Sequence, residues 1–168
     1  MRIEYRLTLK DYQEASQAHF KSNRFIYLLY WFGSIAGIAF GVFLILVSIF
    51  SSYKDYFFGF VMFTCGIICH PSFNLIQSYL NRQVWKSQPL LQEAMNFEFT
   101  QEWIYQKSEN FENKLRWKIY IKFLETKNLF VLYQVSNVFN IFPKRAFDSD
   151  EQIEEFRELL RTKIGTPC

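Results

Sequence analysis

The sequence predicts an α+β membrane protein, in which a two-helix transmembrane hairpin is joined to a small antiparallel β-sheet domain capped by a C-terminal α-helix. Two long apolar runs, at 25–50 and 56–80, predict the hairpin, because a helix of either length crosses a hydrocarbon core of about 30 Å. Alternating apolar and polar residues in the rest of the chain predict the strands. An amphipathic segment that begins after Ser149 predicts the last helix.

The N-terminal segment, residues 1–24, predicts a strand followed by a juxtamembrane helix. Apolar and polar residues alternate from Ile3 to Leu9, which is typical of a half-buried strand. A lone strand is not stable, so we expect this strand to join the sheet formed by the C-terminal part of the chain. Thr8 and Asp11 have the spacing of a capping box, and so predict that a polar helix begins there.

The two apolar runs form the predicted hairpin at 25–80. They contain no aspartate, glutamate, lysine or arginine, and only five residues separate them, so the helices must be antiparallel. Glycine recurs at every fourth position of the first run, which forms a groove for close approach of another backbone; these residues are Gly33, Gly37 and Gly41. Either the second run or a second copy of the protein, in a homo-oligomer, fills this groove, and the short turn favours the second run. Pro71 is expected to kink the second helix.

Positive charge at the ends of the hairpin predicts its orientation. The turn at 51–55 carries only Lys54. More basic residues flank the two ends, namely Lys10, Lys21, Arg24, Arg82 and Lys86. The positive-inside rule then places both termini in the cytoplasm and the turn outside. The predicted localisation is therefore the cell membrane, with two spans.

Residues 92–168 predict a cytoplasmic β-domain that ends in a helix. Alternation and turn residues predict roughly five strands, at 96–100, 103–107, 114–124, 129–135 and 138–142. Ser149 and Gln152 have the spacing of a second capping box, and Gly165 is expected to end the helix. The C-terminal helix would then close one face of the sheet.

The longest predicted strand, at 114–124, carries a basic stripe. By alternation its basic side chains share one face; they are Lys114, Arg116, Lys118 and Lys122. Such a stripe beside the inner leaflet gains roughly 1 kcal/mol per basic residue near anionic lipid. The other interpretation is an ordinary solvated strand face. The stripe is therefore a candidate site for anionic lipid or for a protein partner.

Motifs near both ends of the chain resemble the YcxB-like family of bacterial membrane proteins. Residues 4–12 read E-Y-x-L-T-x-x-D-Y, and residues 139–147 contain a sequence similar to that family's I-P-K-R-A-F motif, with Phe142 in place of an isoleucine. The resemblance implies a C-terminal domain similar to pleckstrin-homology domains and implies no particular activity. Within the motif, Lys144 and Arg145 either form a structural strand-to-helix corner or bind a phosphate or carboxylate group.

Together these features predict a membrane-anchored cytoplasmic interaction or regulatory module that contacts anionic lipid or a protein partner. The alternative is a small oligomeric transporter or channel-like subunit, in which several hairpins enclose a path. The sequence lacks a Ser-His-Asp set, metal-ligand spacing and a nucleotide-binding motif, so we expect no enzyme activity, catalytic residue, metal or cofactor. The net charge of +3 is too small to indicate nucleic-acid binding.

Overall fold

The computed structural model describes residues 1–51, 56–71 and 75–166, without the side chain of Leu75. Most of the predicted turn at 51–55, including Lys54, therefore lies outside the described residues. The chain is an α+β protein with antiparallel sheets. It divides into two compact units, of which the first contains residues 1–18 and 81–168 and the second residues 19–80. We call them the sheet unit and the helical unit.

The chain begins in the sheet unit, passes through the helical unit and then returns to the sheet unit. The strands are β1 (Arg2–Arg6), β2 (Ala94–Phe99), β3 (Trp103–Lys107), β4 (Glu112–Arg116), β5 (Lys122–Glu125), β6 (Leu129–Val135) and β7 (Val138–Pro143). The helices are α1 (Leu9–Ser22), α2 (Arg24–Phe50), α3 (Phe57–Ile68), α4 (Leu75–Ser87) and α5 (Asp150–Lys163). Short 3-10 turns occur at Pro89–Gln92, Trp117–Ile119 and Lys144–Ala146.

The strands of the described residues form two antiparallel sheets, in the orders β1-β2-β3-β4 and β5-β6-β7. The N-terminal strand β1 pairs with β2, with Ile3 opposite Phe97 and Tyr5 opposite Met95. Ile3 and Tyr5 point into the core, where 2% and 8% of their surfaces remain exposed. The first residues of the chain are therefore part of the same core as residues from Met95 to Leu160.

Aromatic side chains from both sheets and from α5 fill this core. Phe156 of α5 is fully buried, and its ring centroid lies 4.8 Å from that of Phe99 and 5.3 Å from that of Phe130. The predicted cap begins α5, because the Ser149 hydroxyl accepts a hydrogen bond from the Gln152 backbone N–H at 3.3 Å. Just beyond the helix, Gly165 has a φ of +116°, a left-handed conformation that glycine adopts without strain. Capping and burial of one face thus define this helix.

The prediction of one continuous strand at 114–124 is wrong. The strand β4 ends at Arg116, a 3-10 turn follows, and β5 then begins at Lys122 in the other sheet. Trp117 and Tyr120 both point into the core, and the Tyr120 N–H donates to the Trp117 carbonyl at 3.0 Å. Two buried residues three positions apart fit a 3-10 turn, whereas a strand buries every second residue. The predicted sheet of roughly five strands is therefore two sheets.

In the helical unit, α2 is long and apolar enough to cross a membrane, and among the described residues no other helix meets that test. The second helix predicted at 56–80 is interrupted, because α3 ends at Ile68. Pro71 lacks a backbone N–H, and its ring disfavours the helical conformation of the residue before it. With 12 residues α3 rises roughly 18 Å, which is less than a hydrocarbon core. The expected kink is thus a helix end, so the described residues of 56–80 do not form one continuous helix.

The helices α2 and α3 approach closely at glycines. A Cβ atom added at Gly37 would lie 3.5 Å from the Gly66 Cα. One added at Gly41 would lie 2.8 Å from the Phe63 Cα and 2.9 Å from the carbonyl oxygen of Gly59. A Cβ atom added at Gly33, in contrast, would have no neighbour within 4 Å among the described residues. The groove at Gly37 and Gly41 is therefore occupied by α3.

Candidate functional site

The first part of the predicted basic stripe lies on the outer face of the four-stranded sheet. Arg116 of β4 is opposite Trp103 of β3, and Lys114 is opposite Tyr105. The Lys114 Nζ lies 4.3 Å from the centroid of the Trp103 ring, and the Arg116 Cζ lies 4.7 Å from it. Each such cation–π contact contributes about 0.5–1 kcal/mol at an exposed site. Trp103 thus holds two cations beside one another.

The rest of the stripe separates at the 3-10 turn. Lys118 lies in that turn and is exposed, two residues after Arg116 in the chain. Lys122 begins β5 in the other sheet, where its Nζ lies 4.7 Å from the centroid of the Tyr133 ring. The prediction that all four cations share one strand face is therefore wrong, because the chain changes sheets between Lys118 and Lys122. The other three cations, Lys114, Arg116 and Lys118, stay together.

A cleft of about 450 Å³ lies beside Trp103, and we call it the basic cleft. Its lining comes from the β2–β3 turn, the start of β3, the end of β4, the following 3-10 turn and the end of α5; the residues are Gln101, Glu102, Trp103, Arg116, Trp117, Lys118 and Lys163. The indole N–H of Trp117 donates to the carbonyl oxygen of Thr100 at 2.9 Å, which fixes the buried ring in the wall of the cleft. Five separate elements therefore build the cleft.

The basic cleft has an excess of positive charge. Arg116, Lys118 and Lys163 line it, and Glu102 is the acidic residue in the lining. In the part of the chain that the structure describes, none of these three cations forms an ion pair. Arginine and lysine side chains that lack a carboxylate partner can donate hydrogen bonds to phosphate or carboxylate oxygens. The arrangement is therefore suited to binding an anion.

Residues 99–160 match the family model of the YcxB-like proteins. This segment is YcxB-like. The match confirms the resemblance inferred from the motifs, over a segment that contains β3 to β7 and most of α5. No curated protein and no solved structure matches the chain.

Within the YcxB-like segment, Arg145 binds a carboxylate from the N-terminal part of the sheet unit. Its guanidinium donates to both carboxylate oxygens of Asp11, at 2.5 and 2.6 Å. The same carboxylate accepts a hydrogen bond from the Thr8 backbone N–H at 2.7 Å, which is the predicted capping box. Burial alone would raise the pKa of Asp11, but the hydrogen bonds from Arg145 and Thr8 outweigh it and lower that pKa. Arg145 therefore joins the two motifs by which the family resemblance was recognised.

Lys144 of the YcxB-like segment is also paired. Its Nζ lies 2.6 Å from Glu125, which Arg157 of α5 also binds at 2.5 Å. The side chains of all three are less than 20% exposed. Burial opposes ionisation of Glu125, yet the hydrogen bonds from Arg157 and Lys144 lower its pKa. Of the two interpretations of Lys144 and Arg145, the geometry favours the structural corner, because each cation already has a carboxylate partner.

Two residues of the basic cleft were missed at the level of sequence. Lys163 lies in the last turn of α5, which is far along the chain from Arg116. Trp103 was assigned to a strand, but its pairing with Arg116 depends on the register between β3 and β4. A predicted register for that hairpin would have indicated the Trp103–Arg116 pair. No local signal points to Lys163.

Proposed function

We propose that the protein is a membrane-anchored binding module whose basic cleft binds the anionic headgroup of a membrane lipid. In this proposal the helical unit lies in the cell membrane and crosses it twice, and the sheet unit lies in the cytoplasm with both termini. The mean hydropathy of an 18-residue window within α2, 2.4, supports the membrane location. The excess of basic residues at the two ends of 25–80 supports the orientation.

The packing of α3 on α2 supports a second pass. Small residues at a helix contact let backbones approach closely, which is typical of membrane helix pairs. Gly37 and Gly41 of α2 make this kind of approach to α3. The interruption near Pro71 is compatible with a pass, because broken helices occur in membranes where neighbouring groups satisfy the backbone. The second pass would then use α3 and the beginning of α4.

The sheet unit is pleckstrin-homology-like in this proposal. A four-stranded and a three-stranded antiparallel sheet enclose the core, and the C-terminal helix α5 packs against it. This arrangement supports the architecture that the YcxB-like resemblance implies. It also means that β1 is needed for the domain, although most of the domain comes after the helical unit. An isolated C-terminal fragment would lack part of its own sheet.

The convergence of Arg116, Lys118 and Lys163 beside Trp103 carries the lipid-binding proposal. Basic residues near an anionic membrane surface gain roughly 1 kcal/mol each. Tryptophan side chains are enriched at membrane interfaces, because the ring is apolar and its N–H is polar. A site that combines both residue types suits a phosphate-bearing headgroup better than an uncharged one.

The test uses the full chain in an uncharged detergent. A short-chain phosphatidic acid is titrated, with short-chain phosphatidylcholine as the zwitterionic control, and binding is followed by tryptophan fluorescence. The variant Arg116→Gln/Lys118→Gln/Lys163→Gln is expected to bind phosphatidic acid about ten- to a hundred-fold more weakly, since three charge contacts are lost. The matched control Lys107→Gln/Lys122→Gln/Lys127→Gln removes the same charge outside the cleft and should change affinity less than about three-fold. Equal losses in the two variants would contradict a site in the cleft.

A further inference from the structure

A second concavity lies in the sheet unit and shares no lining residue with the basic cleft. Its volume is about 520 Å³, within the range of roughly 300–1,000 Å³ that is common for small-molecule sites. Its walls come largely from the 3-10 turn at Pro89–Gln92, β2 and β7, and include Leu90, Leu91, Met95, Phe111, Phe139 and Ile141. Among the described residues, no charged side chain lines it. We call it the apolar cavity.

One polar side chain in this lining has no partner. Gln106 lies on the inward face of β3, two residues after the fully buried Ile104, and only 9% of its surface is exposed. Throughout the described ranges, no side chain or backbone group forms a hydrogen bond with the Gln106 amide. The amide atoms are not among the fully enclosed unpartnered polar atoms of the described residues, so they remain open to the cavity. A ligand in the cavity can therefore reach the amide and form hydrogen bonds with it.

Two other polar side chains of the lining are already engaged. The Tyr5 hydroxyl donates to the carbonyl oxygen of Ile141 at 2.6 Å. The Asn140 amide donates to the Tyr120 hydroxyl at 2.9 Å. Gln106 therefore offers two N–H donors and one acceptor oxygen within a mainly apolar wall. This is the pattern of a ligand pocket in which one polar group sets the orientation.

We propose that the apolar cavity binds an uncharged amphiphile, whose apolar body contacts Leu90, Leu91 and Phe139 and whose hydroxyl or carbonyl group bonds to Gln106. An ionised headgroup is excluded by this chemistry, because no lining side chain balances its charge and burial of an unpaired charge is costly. A neutral lipid of the diacylglycerol class has both the apolar chains and the uncharged polar group that the cavity requires. The inference stands apart from the proposed function of the basic cleft.

The experiment uses the full chain in phosphatidylcholine nanodiscs that contain a diacylglycerol with a photoreactive diazirine in one acyl chain. After illumination, labelled peptides are identified by mass spectrometry. Labels are expected on the cavity segments 88–91 and 139–141, and an alkyl sulfate with the same diazirine, which stays ionised in a bilayer, should label them at least five-fold less. Labels confined to residues outside the cavity, or equal labelling by the ionised probe, would overturn the proposal.

Two variants distinguish the loss of the Gln106 hydrogen bond to the ligand from a loss of folding. Gln106→Leu keeps a similar side-chain volume and is expected to reduce labelling of the cavity at least five-fold. Its melting temperature should equal or exceed that of the natural chain, because an unpartnered amide is replaced by an apolar group. The matched control Gln83→Leu changes an exposed residue of α4 that lines neither the apolar cavity nor the basic cleft, and should label like the natural chain. Unchanged labelling of the Gln106→Leu variant would show that this side chain does not hold the ligand.

Discussion

The two units of the protein use the same residue type in opposite ways. Phenylalanines of the sheet unit are at most 1% exposed at Phe97, Phe123, Phe130, Phe142 and Phe156. Phenylalanines of the helical unit are 65–88% exposed at Phe25, Phe32, Phe50, Phe57 and Phe60. Soluble monomers rarely expose large contiguous apolar surfaces. The difference teaches that one unit buries its aromatic groups within itself, whereas the other carries them on its outer surface.

The units also differ in what holds their elements together. In the sheet unit, interlocking rings are supported by ion pairs such as Asp11–Arg145, which joins residues far apart in the chain. In the helical unit, α2 and α3 meet where side chains are absent, at Gly41 and Gly59. The sheet unit is stabilised by side chains that fill its core, whereas the contact between α2 and α3 requires positions without a side chain. Substitutions that remove or add side-chain atoms should therefore affect the two units in opposite ways.

The largest effect is expected from removing a core ring. Phe156→Ala should lower the free energy of unfolding of the sheet unit by about 3–5 kcal/mol, because the ring is fully buried among other aromatic side chains. The control Phe32→Ala removes the same atoms from a side chain that is 67% exposed and should change little. Denaturant unfolding of the full chain in detergent, followed by near-ultraviolet circular dichroism, measures both. Similar losses would contradict the contrast between the units.

A smaller effect is expected from adding one methyl group to the helix contact. In Gly41→Ala the new atom would overlap the backbone of α3, so we expect a loss of about 1–3 kcal/mol. The matched control Gly33→Ala places the methyl group in open space and should be neutral or slightly stabilising, because alanine favours helix more than glycine does. Thermal unfolding in detergent distinguishes them. Tolerance of Gly41→Ala would mean that α2 and α3 are not closely packed.

The sequence anticipated features that depend on near neighbours. The alternation from Ile3 to Leu9 predicted a strand where β1 forms, and Thr8 with Asp11 predicted the start of α1. Features that depend on distant parts of the chain were missed. The alternation of apolar and polar residues through 114–124 concealed the turn in which Trp117 and Tyr120 are both buried. The spacing of three residues between these two aromatic residues was nevertheless visible in the sequence.

The candidate sites were less predictable than the fold. The three cations of the basic cleft come from β4, a 3-10 turn and α5, and only tertiary folding brings Lys163 to the other two. Gln106 follows the strand alternation, so its inward direction could be read from the sequence, but its lack of a partner could not. Lys144 and Arg145 looked available to an external anion, because their carboxylate partners are remote in the chain.

A further effect is expected at the ion pair that joins the two family motifs. Asp11→Ala should lower the free energy of unfolding by about 1–2 kcal/mol, because it removes the acceptor of the Thr8 backbone N–H and the partner of Arg145, whose side chain is half exposed and partly screened by water. Asp11→Asn keeps a capping side chain and should cost less. A double-mutant cycle with Arg145→Gln measures the coupling free energy. A coupling indistinguishable from zero would remove the ion pair from the account of the sheet unit.

The smallest effect is the change in the free energy of unfolding with pH. Near neutral pH it is negligible, and on acidification its direction is defined. The pKa values of Asp11 and Glu125 lie below their ordinary values of 3.8 and 4.5 in the folded chain. Their contribution is therefore fully present above those ordinary values and is lost as the pH falls through them towards the folded-state values. Unfolding measured between about pH 6 and pH 3 should show this decline, and Asp11→Asn/Glu125→Gln should flatten it. A slope that stays the same in the double variant would assign the decline to other groups.

The most direct test of the contrast between the units is to measure whether lipid or water surrounds each of them. Nitroxide spin labels are placed one at a time on α2, at Phe32 and Phe43, and on β3, at Lys107, in the full chain reconstituted into nanodiscs. The account predicts that labels on α2 collide with dissolved oxygen and not with a water-soluble nickel complex, whereas the label on β3 shows the reverse. Equal accessibility of all three labels to the nickel complex would place α2 in water and contradict the account.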